Sequence, residues 1–133
     1  MKLVRTGLAL AASLGLAGCF QDETVAGYGA ADKIWVLTEL NGIPFAATAT
    51  LTFPDRGRIA GQAPCNGYTA EMSVPYPWFE INALVTTRKS CPDLAYEAKF
   101  LAQLSRMSLS EILGDVLLLS TPDGEEMVFK ARE

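Results

Sequence analysis

Residues 92–107 read PDLAYEAKFLAQLSRM. Leu94, Ala98, Leu101 and Leu104 recur at the spacing of one helical face, with Phe100 and Met107 flanking them, a period that no strand has. Pro92 suits a first helical position, where the missing N–H costs nothing. Asp93 and Glu97 suit the positive end of the helix dipole and Arg106 the negative end. The spacing predicts one helix over about 92–107. The chain on either side keeps a different period, and that contrast decides the fold class.

Upstream, KIWVLTEL (33–40) alternates, with Ile34, Val36, Thr38 and Leu40 on one side and Trp35, Leu37 and Glu39 on the other. Asn41-Gly42 follows, a pair that tight hairpin turns favour. ATLTF (49–53), RIAGQ (58–62), GYTAEMSV (67–74) and WFEINALVT (78–86) read as further strands, separated by turns such as PDRG (54–57) and PYP (75–77). In PDRG, Pro presets φ and Gly accepts φ > 0. Tyr68, Ala70, Met72 and Val74 face one way. Downstream, SLSEIL (108–113), VLLLST (116–121) and EEMVFKAR (125–132) read as a three-stranded meander broken at Gly114-Asp115 and Pro122-Asp123-Gly124. Five or so strands, one helix and three strands predict an α+β fold, a curled antiparallel β-sheet or partial β-barrel. The helix is expected to cover one face or plug one end.

The N-terminus gives an address. Residues 1–18 begin with a basic start (Lys2, Arg5), continue with about a dozen apolar residues and end on small ones, the pattern of a secretory signal peptide. A permanent span needs about 20 apolar residues. Leu16-Ala17-Gly18-Cys19 resembles the bacterial lipobox, whose cysteine is acylated and becomes the mature N-terminus; the alternative is an ordinary signal peptide with an incidental cysteine. Acyl chains, at about 0.8 kcal/mol per buried methylene, anchor almost permanently. In lipoproteins an aspartate after the cysteine commonly retains the protein in the inner membrane. Phe20 stands there instead, so the resemblance implies an outer-membrane lipoprotein facing the periplasm. Residues 19–32, polar, Gly/Ala-rich and without an apolar period, read as a tether, and 33–133 as one domain. The chain carries 11 basic and 15 acidic residues. Without the two basic residues of the leader the balance is nine against fifteen, a net −6. An acidic chain opposes nucleic acid as a partner, so the membrane contact is expected through the acyl anchor.

Cys65 and Cys91 remain after Cys19 is assigned to lipid. In a compartment where disulfides persist, they are expected to bond to each other, contributing about 3.5 kcal/mol by closing the loop between them. The rival readings are a free nucleophilic thiol and a two-cysteine metal site. The chain has no histidine, which removes Cys-His and Ser-His pairs and the commonest zinc ligand. No metal or cofactor is expected.

A few residues stand out as a candidate binding patch. Asn66 either presents a polar group at a site or serves turn chemistry, the reading favoured here. Thr86, Thr87, Arg88 and Lys89 offer hydroxyls and cations close to the helix start, or form a solvated loop. Trp78, with Phe79, forms an aromatic ledge for a sugar or peptide, or else belongs to the core. Asp93 and Glu97 are explained by the dipole, and Glu71 and Glu80 have no visible partner. None of these makes a catalytic constellation, and no enzymatic activity is expected.

The order of several pieces resembles the META domain of HslJ-type heat-shock proteins. They are Trp35-Val36-Leu37, Leu40-Asn41-Gly42, Leu51-Thr52-Phe53, Gly57-Arg58-Ile59-Ala60-Gly61, Cys65-Asn66-Gly67-Tyr68, Thr86-Thr87, Cys91-Pro92, Phe100-Leu101 with Leu104, Leu117-Leu118-Leu119 and Met127-Val128-Phe129. Lys89-Ser90 depart from the small or apolar residues common before the second cysteine. The resemblance implies a small α+β domain, lipid-anchored or periplasmic, linked to heat and antibiotic stress and without established chemistry. The expected function is a non-enzymatic binding or structural module of the cell envelope, its partner an envelope protein or small ligand. The alternatives are an apolar-ligand carrier and a small carboxylate-based hydrolase.

Overall fold

The computed structural model describes Gly7 and residues 21–132. The expected signal peptide (1–18, Gly7 aside) and the acylated Cys19 lie outside the described residues.

Nine strands and one α-helix follow one another among the described residues: β1 Ile34–Leu40, β2 Ile43–Pro44, β3 Thr50–Leu51, β4 Arg58–Gln62, β5 Gly67–Glu71, β6 Asn82–Thr86, α1 Leu94–Leu104, β7 Leu109–Leu113, β8 Val116–Ser120 and β9 Glu126–Arg132. Asn41 and Gly42 take φ of 52° and 75°. Positive φ at both positions matches the strand twist, so β2 folds back on β1 with Leu40 opposite Ile43. All pairings are antiparallel. One sheet runs β2-β1-β9-β8-β7 with β3 also beside β1, and the other runs β4-β5-β6. An isolated bridge at Thr52–Ala60 links the chain after β3 to β4, and another at Trp78–Leu109 ties the 75–81 loop to β7. The fold is therefore α+β, curled antiparallel sheets with one helix, and among the described residues the sheets close into no barrel.

Register sorts the turns to two ends. Leu51 faces Trp35, Ala60 faces Thr52, and Ala60 faces Thr69. The starts of β1 and β4 and the end of β5 therefore share one end with the turn at 54–57. The Asn41-Gly42 turn and the loop 63–66 share the other, where α1 sits as a plug. At Gly61, β4 comes so close to β3 that a Cβ would collide with the Thr50 carbonyl oxygen, so only glycine fits.

Alternation places the core as expected in several strands. Tyr68, Ala70 and Met72 are buried together, as are Met127 and Phe129, and Leu117 and Leu119. Trp35, Phe79, Phe100 and Phe129, each at most 1% exposed, fill the interior with Leu51, Ile59 and Leu104. Burial of such side chains stabilises by roughly 1.5–3 kcal/mol each.

Several expectations differ from what is found. The strands read over 49–53, 67–74 and 78–86 are shorter, at Thr50–Leu51, Gly67–Glu71 and Asn82–Thr86. The helix is shorter than 92–107, and its buried face is Glu97, Phe100, Gln103 and Leu104, not the stripe through Leu94 and Ala98. Leu94 is exposed. The face is turned because two polar side chains find buried partners, as described below. The expected tether, 19–32, is over its described part docked on the domain. Val25–Tyr28 form a 3₁₀-helix, and Val25, Ala26 and Ala30 are buried. The Trp35 indole N–H donates to the Ala30 carbonyl at 2.9 Å, and the Tyr76 N–H to the Glu23 carbonyl at 2.7 Å. One turn of 3₁₀-helix is too short to leave a period in the sequence.

Candidate functional site

The helix end of the molecule is organised by Cys65-Asn66. A disulfide joins Cys65 to Cys91 with their Cα atoms 5.7 Å apart, so the loop before β5 is clamped to the segment that leads into α1. That is the pairing expected from the sequence, and it places the domain in a compartment outside the cytoplasm, where such bonds persist.

Asn66 is only 4% exposed and Glu97 5%. One carboxylate oxygen of Glu97 accepts the backbone N–H groups of Cys65 (3.0 Å) and Asn66 (2.7 Å), and the other accepts the Asn66 side-chain N–H at 2.7 Å. The second side-chain N–H of Asn66 donates to the Lys89 carbonyl at 3.0 Å. Its oxygen accepts from the Thr87 hydroxyl at 2.9 Å and from the Lys89 N–H at 2.6 Å. The Asn66 amide thus uses both donors and both lone pairs. It presents nothing to a ligand; it holds the 63–66 loop, the 87–89 loop and α1 together. The dipole reading of Glu97 is superseded by this buried role, whereas Asp93 sits at the N-cap with no side-chain capping bond.

A second polar lock holds the other end of the helix. The Asn41 amide donates to Gln103 Oε1 at 3.0 Å and accepts from Gln103 Nε2 at 2.8 Å, and Gln103 Nε2 also donates to the Glu126 carbonyl at 3.0 Å. Arg106 forks onto Glu125 at 3.0 and 3.1 Å. This bond holds the Glu125 carboxyl below, and the Arg106 guanidinium above, its ordinary value. The helical period does not reveal Glu97 and Gln103 as anchors. The available signal was a Glu and a Gln six apart, both among the apolar positions of the helix.

Beside the first lock lies an open concavity of about 410 Å³. Gly61, Gln62, Thr69, Val85, Thr86 and Thr87 line it, with Tyr68 as its floor. The Tyr68 hydroxyl is bonded inward to the Thr50 carbonyl at 2.6 Å, and burial pushes its phenol pKa up. Val85, 62% exposed, stands on β6, the edge strand of its sheet. Arg88 and Lys89 follow, both exposed. The structure therefore brings Asn66, Thr86 and Thr87 together, with Arg88 next in the chain. Trp78 lies apart from them. It is 57% exposed and borders a different hollow of about 420 Å³ formed with Glu80 and residues 105–108, while Phe79 is core.

A family model described as META domain matches residues 30–133. Among solved structures, the chain is similar to a protein from Burkholderia xenovorans determined by NMR, with 19% identity, 81% of this chain and 87% of that one covered, and a TM-score of 0.63. It is also similar to a DUF4847 family protein from Bacteroides vulgatus ATCC 8482 in a crystal structure, with 15% identity, 82% and 97% covered, and a TM-score of 0.66. At such identities the likeness carries the fold alone. No curated protein matches the chain.

Proposed function

The chain belongs to the META domain family, and from that premise we propose that it is an outer-membrane lipoprotein acting in the envelope as a non-enzymatic, stress-related binding module. The observation that carries the binding reading is the groove that crosses β4 and β5 and ends on β6. An edge strand with an exposed valine, two threonines and two following cations offers backbone groups and an apolar foothold to an extended segment of an envelope protein or to a small ligand. The floor residue Tyr68 is bonded to Thr50, and Thr87 at the rim is held by the Asn66 lock, so little ordering entropy is spent when a ligand arrives. The core packed with Trp35, Phe79, Phe100 and Phe129 supports this reading over an apolar-ligand carrier, and the buried Glu97 carboxylate, taken up by Cys65 and Asn66, supports it over a small carboxylate-based hydrolase. No helix among the described residues is long and apolar enough to cross a membrane, and the proposed attachment is acylated Cys19.

The test places a photocrosslinking side chain at Val85 or, as control, at Asp123. A specific adduct is expected at Val85, absent at Asp123, and abolished by Thr69→Arg, which fills the groove with an exposed charge. Equal capture at both positions sinks the binding reading. Membrane release by Cys19→Ala tests the anchor separately.

A further inference from the structure

We propose that the end of the domain opposite α1 lies directly against the bilayer surface, with Tyr28, Tyr76 and Arg56 meeting zwitterionic lipid headgroups. This rests on the lipoprotein reading above, and it follows from where the chain leaves the fold. From Gln21 onward the described chain is docked on the fold. The Arg56 guanidinium donates to the Gln21 carbonyl at 2.6 Å. Asp22 accepts from the Thr24 N–H and hydroxyl at 2.9 and 2.6 Å. A Cβ at Gly27 would collide with the Asp22 carbonyl oxygen, so the segment folds tightly on itself. Only Phe20 stands between Gln21 and Cys19, two chain steps with a reach of at most about 7 Å. An acyl group on Cys19 therefore leaves the domain no slack.

The surface at this exit fits a headgroup layer. Tyr28, 57% exposed, stacks on Tyr76 with ring centroids 4.6 Å apart, and tyrosine rings settle at membrane interfaces because one edge is apolar and the other wet. Asp22, Glu23, Asp55 and Arg56 mix both signs. That mixture suits lipids carrying an ammonium and a phosphate each, whereas anionic lipid would meet more carboxylates than cations. By register, the groove that ends on β6, the 87–89 loop and α1 then point away from the bilayer, into the aqueous compartment.

The test uses the full chain, processed in cells, purified with its acyl groups and reconstituted into phosphatidylethanolamine/phosphatidylcholine vesicles containing a headgroup-nitroxide lipid. Because Cys65 and Cys91 are bonded, a single introduced thiol takes the dye, in Asp55→Cys at the exit end or Asp123→Cys at the helix end. β1 alone spans roughly 20 Å between the ends, so contact quenching of the dye at position 55 should exceed that at 123 at least about threefold. Inserting 16 Gly/Ser residues after Phe20 adds a reach of about 22 Å and should bring the ratio towards one. Equal quenching at the two positions, with acylated Cys19 verified by mass spectrometry, overturns the orientation and leaves the anchor standing. An unmodified Cys19 overturns both.

Discussion

Glu97→Gln separates the buried anchor from the helix-dipole explanation of the same residue. A dipole contribution at an exposed first turn is worth about 0.3–1 kcal/mol, and Asp93 and Glu97 would then be near equals. The structure makes them unequal. In Glu97→Gln one of the two carboxylate oxygens becomes an NH₂ group facing N–H donors. With the amide oxygen kept on the Cys65 and Asn66 backbone N–H groups, the NH₂ faces the Asn66 side-chain N–H. Flipping Asn66 moves the conflict to the Lys89 N–H and the Thr87 hydroxyl. One buried donor is left unmatched, at about 1–3 kcal/mol, and two charge-assisted bonds become ordinary ones, at about 1 kcal/mol each. The expected loss is about 3–5 kcal/mol, read as a lower urea midpoint at unchanged slope in the oxidised chain from Gln21 onward. Asp93→Asn, whose side chain makes no cap bond, should stay within about 0.5 kcal/mol. Equal, small effects of the two substitutions would refute the anchor and restore the dipole account.

Reduction, or Cys65→Ser with Cys91→Ser, should cost about 3.5 kcal/mol, and a thiol reagent should label neither cysteine before reductant is added. Asn41→Gly keeps the positive-φ turn but loses the paired bonds to Gln103, so a loss of about 1–3 kcal/mol is expected by denaturation; a neutral result would reduce Asn41 to a turn residue. Gly61→Ala should destabilise by about 1–3 kcal/mol through its clash with the Thr50 carbonyl, with faster amide exchange in β3 and β4 as the local readout. Arg106 holds Glu125 below its ordinary value, so their pair stabilises the folded chain above the ordinary carboxylate range. The benefit fades as pH falls through the depressed value. Wild type and Glu125→Gln should therefore converge in stability in acid, by a small amount because both groups are solvent-exposed.

Much of the fold was legible because strand alternation and turn chemistry are local. β4 spans the stretch RIAGQ read from the sequence, the Asn41-Gly42 hairpin forms, and the last three strands make the expected meander. The helix was legible as an element but not in its orientation. Its inward face contains Glu97 and Gln103, whose partners lie 31 and 62 residues away in Asn66 and Asn41, and no helical period reports a bond to a distant loop. The docked segment 24–31 leaves no periodic signal because two or three small apolar residues suffice to bury it. Trp78 reads from the sequence as a further member of the patch with Thr86–Arg88, while the fold sends them to different hollows. Asn66 was legible as the residue of a tight loop, yet its saturation by four side-chain hydrogen bonds depends on chain segments that only the folded molecule assembles.

The two polar locks have a consequence for how the domain tolerates change. Apolar contacts alone would let the plug slide or roll by a fraction of a turn as neighbouring volumes drift. Directional bonds at Glu97 and Gln103 admit one setting, like two keys cut for two keyholes. Interior side chains can therefore exchange volume among themselves over generations while the lid keeps its seat, and the groove beside it keeps its shape.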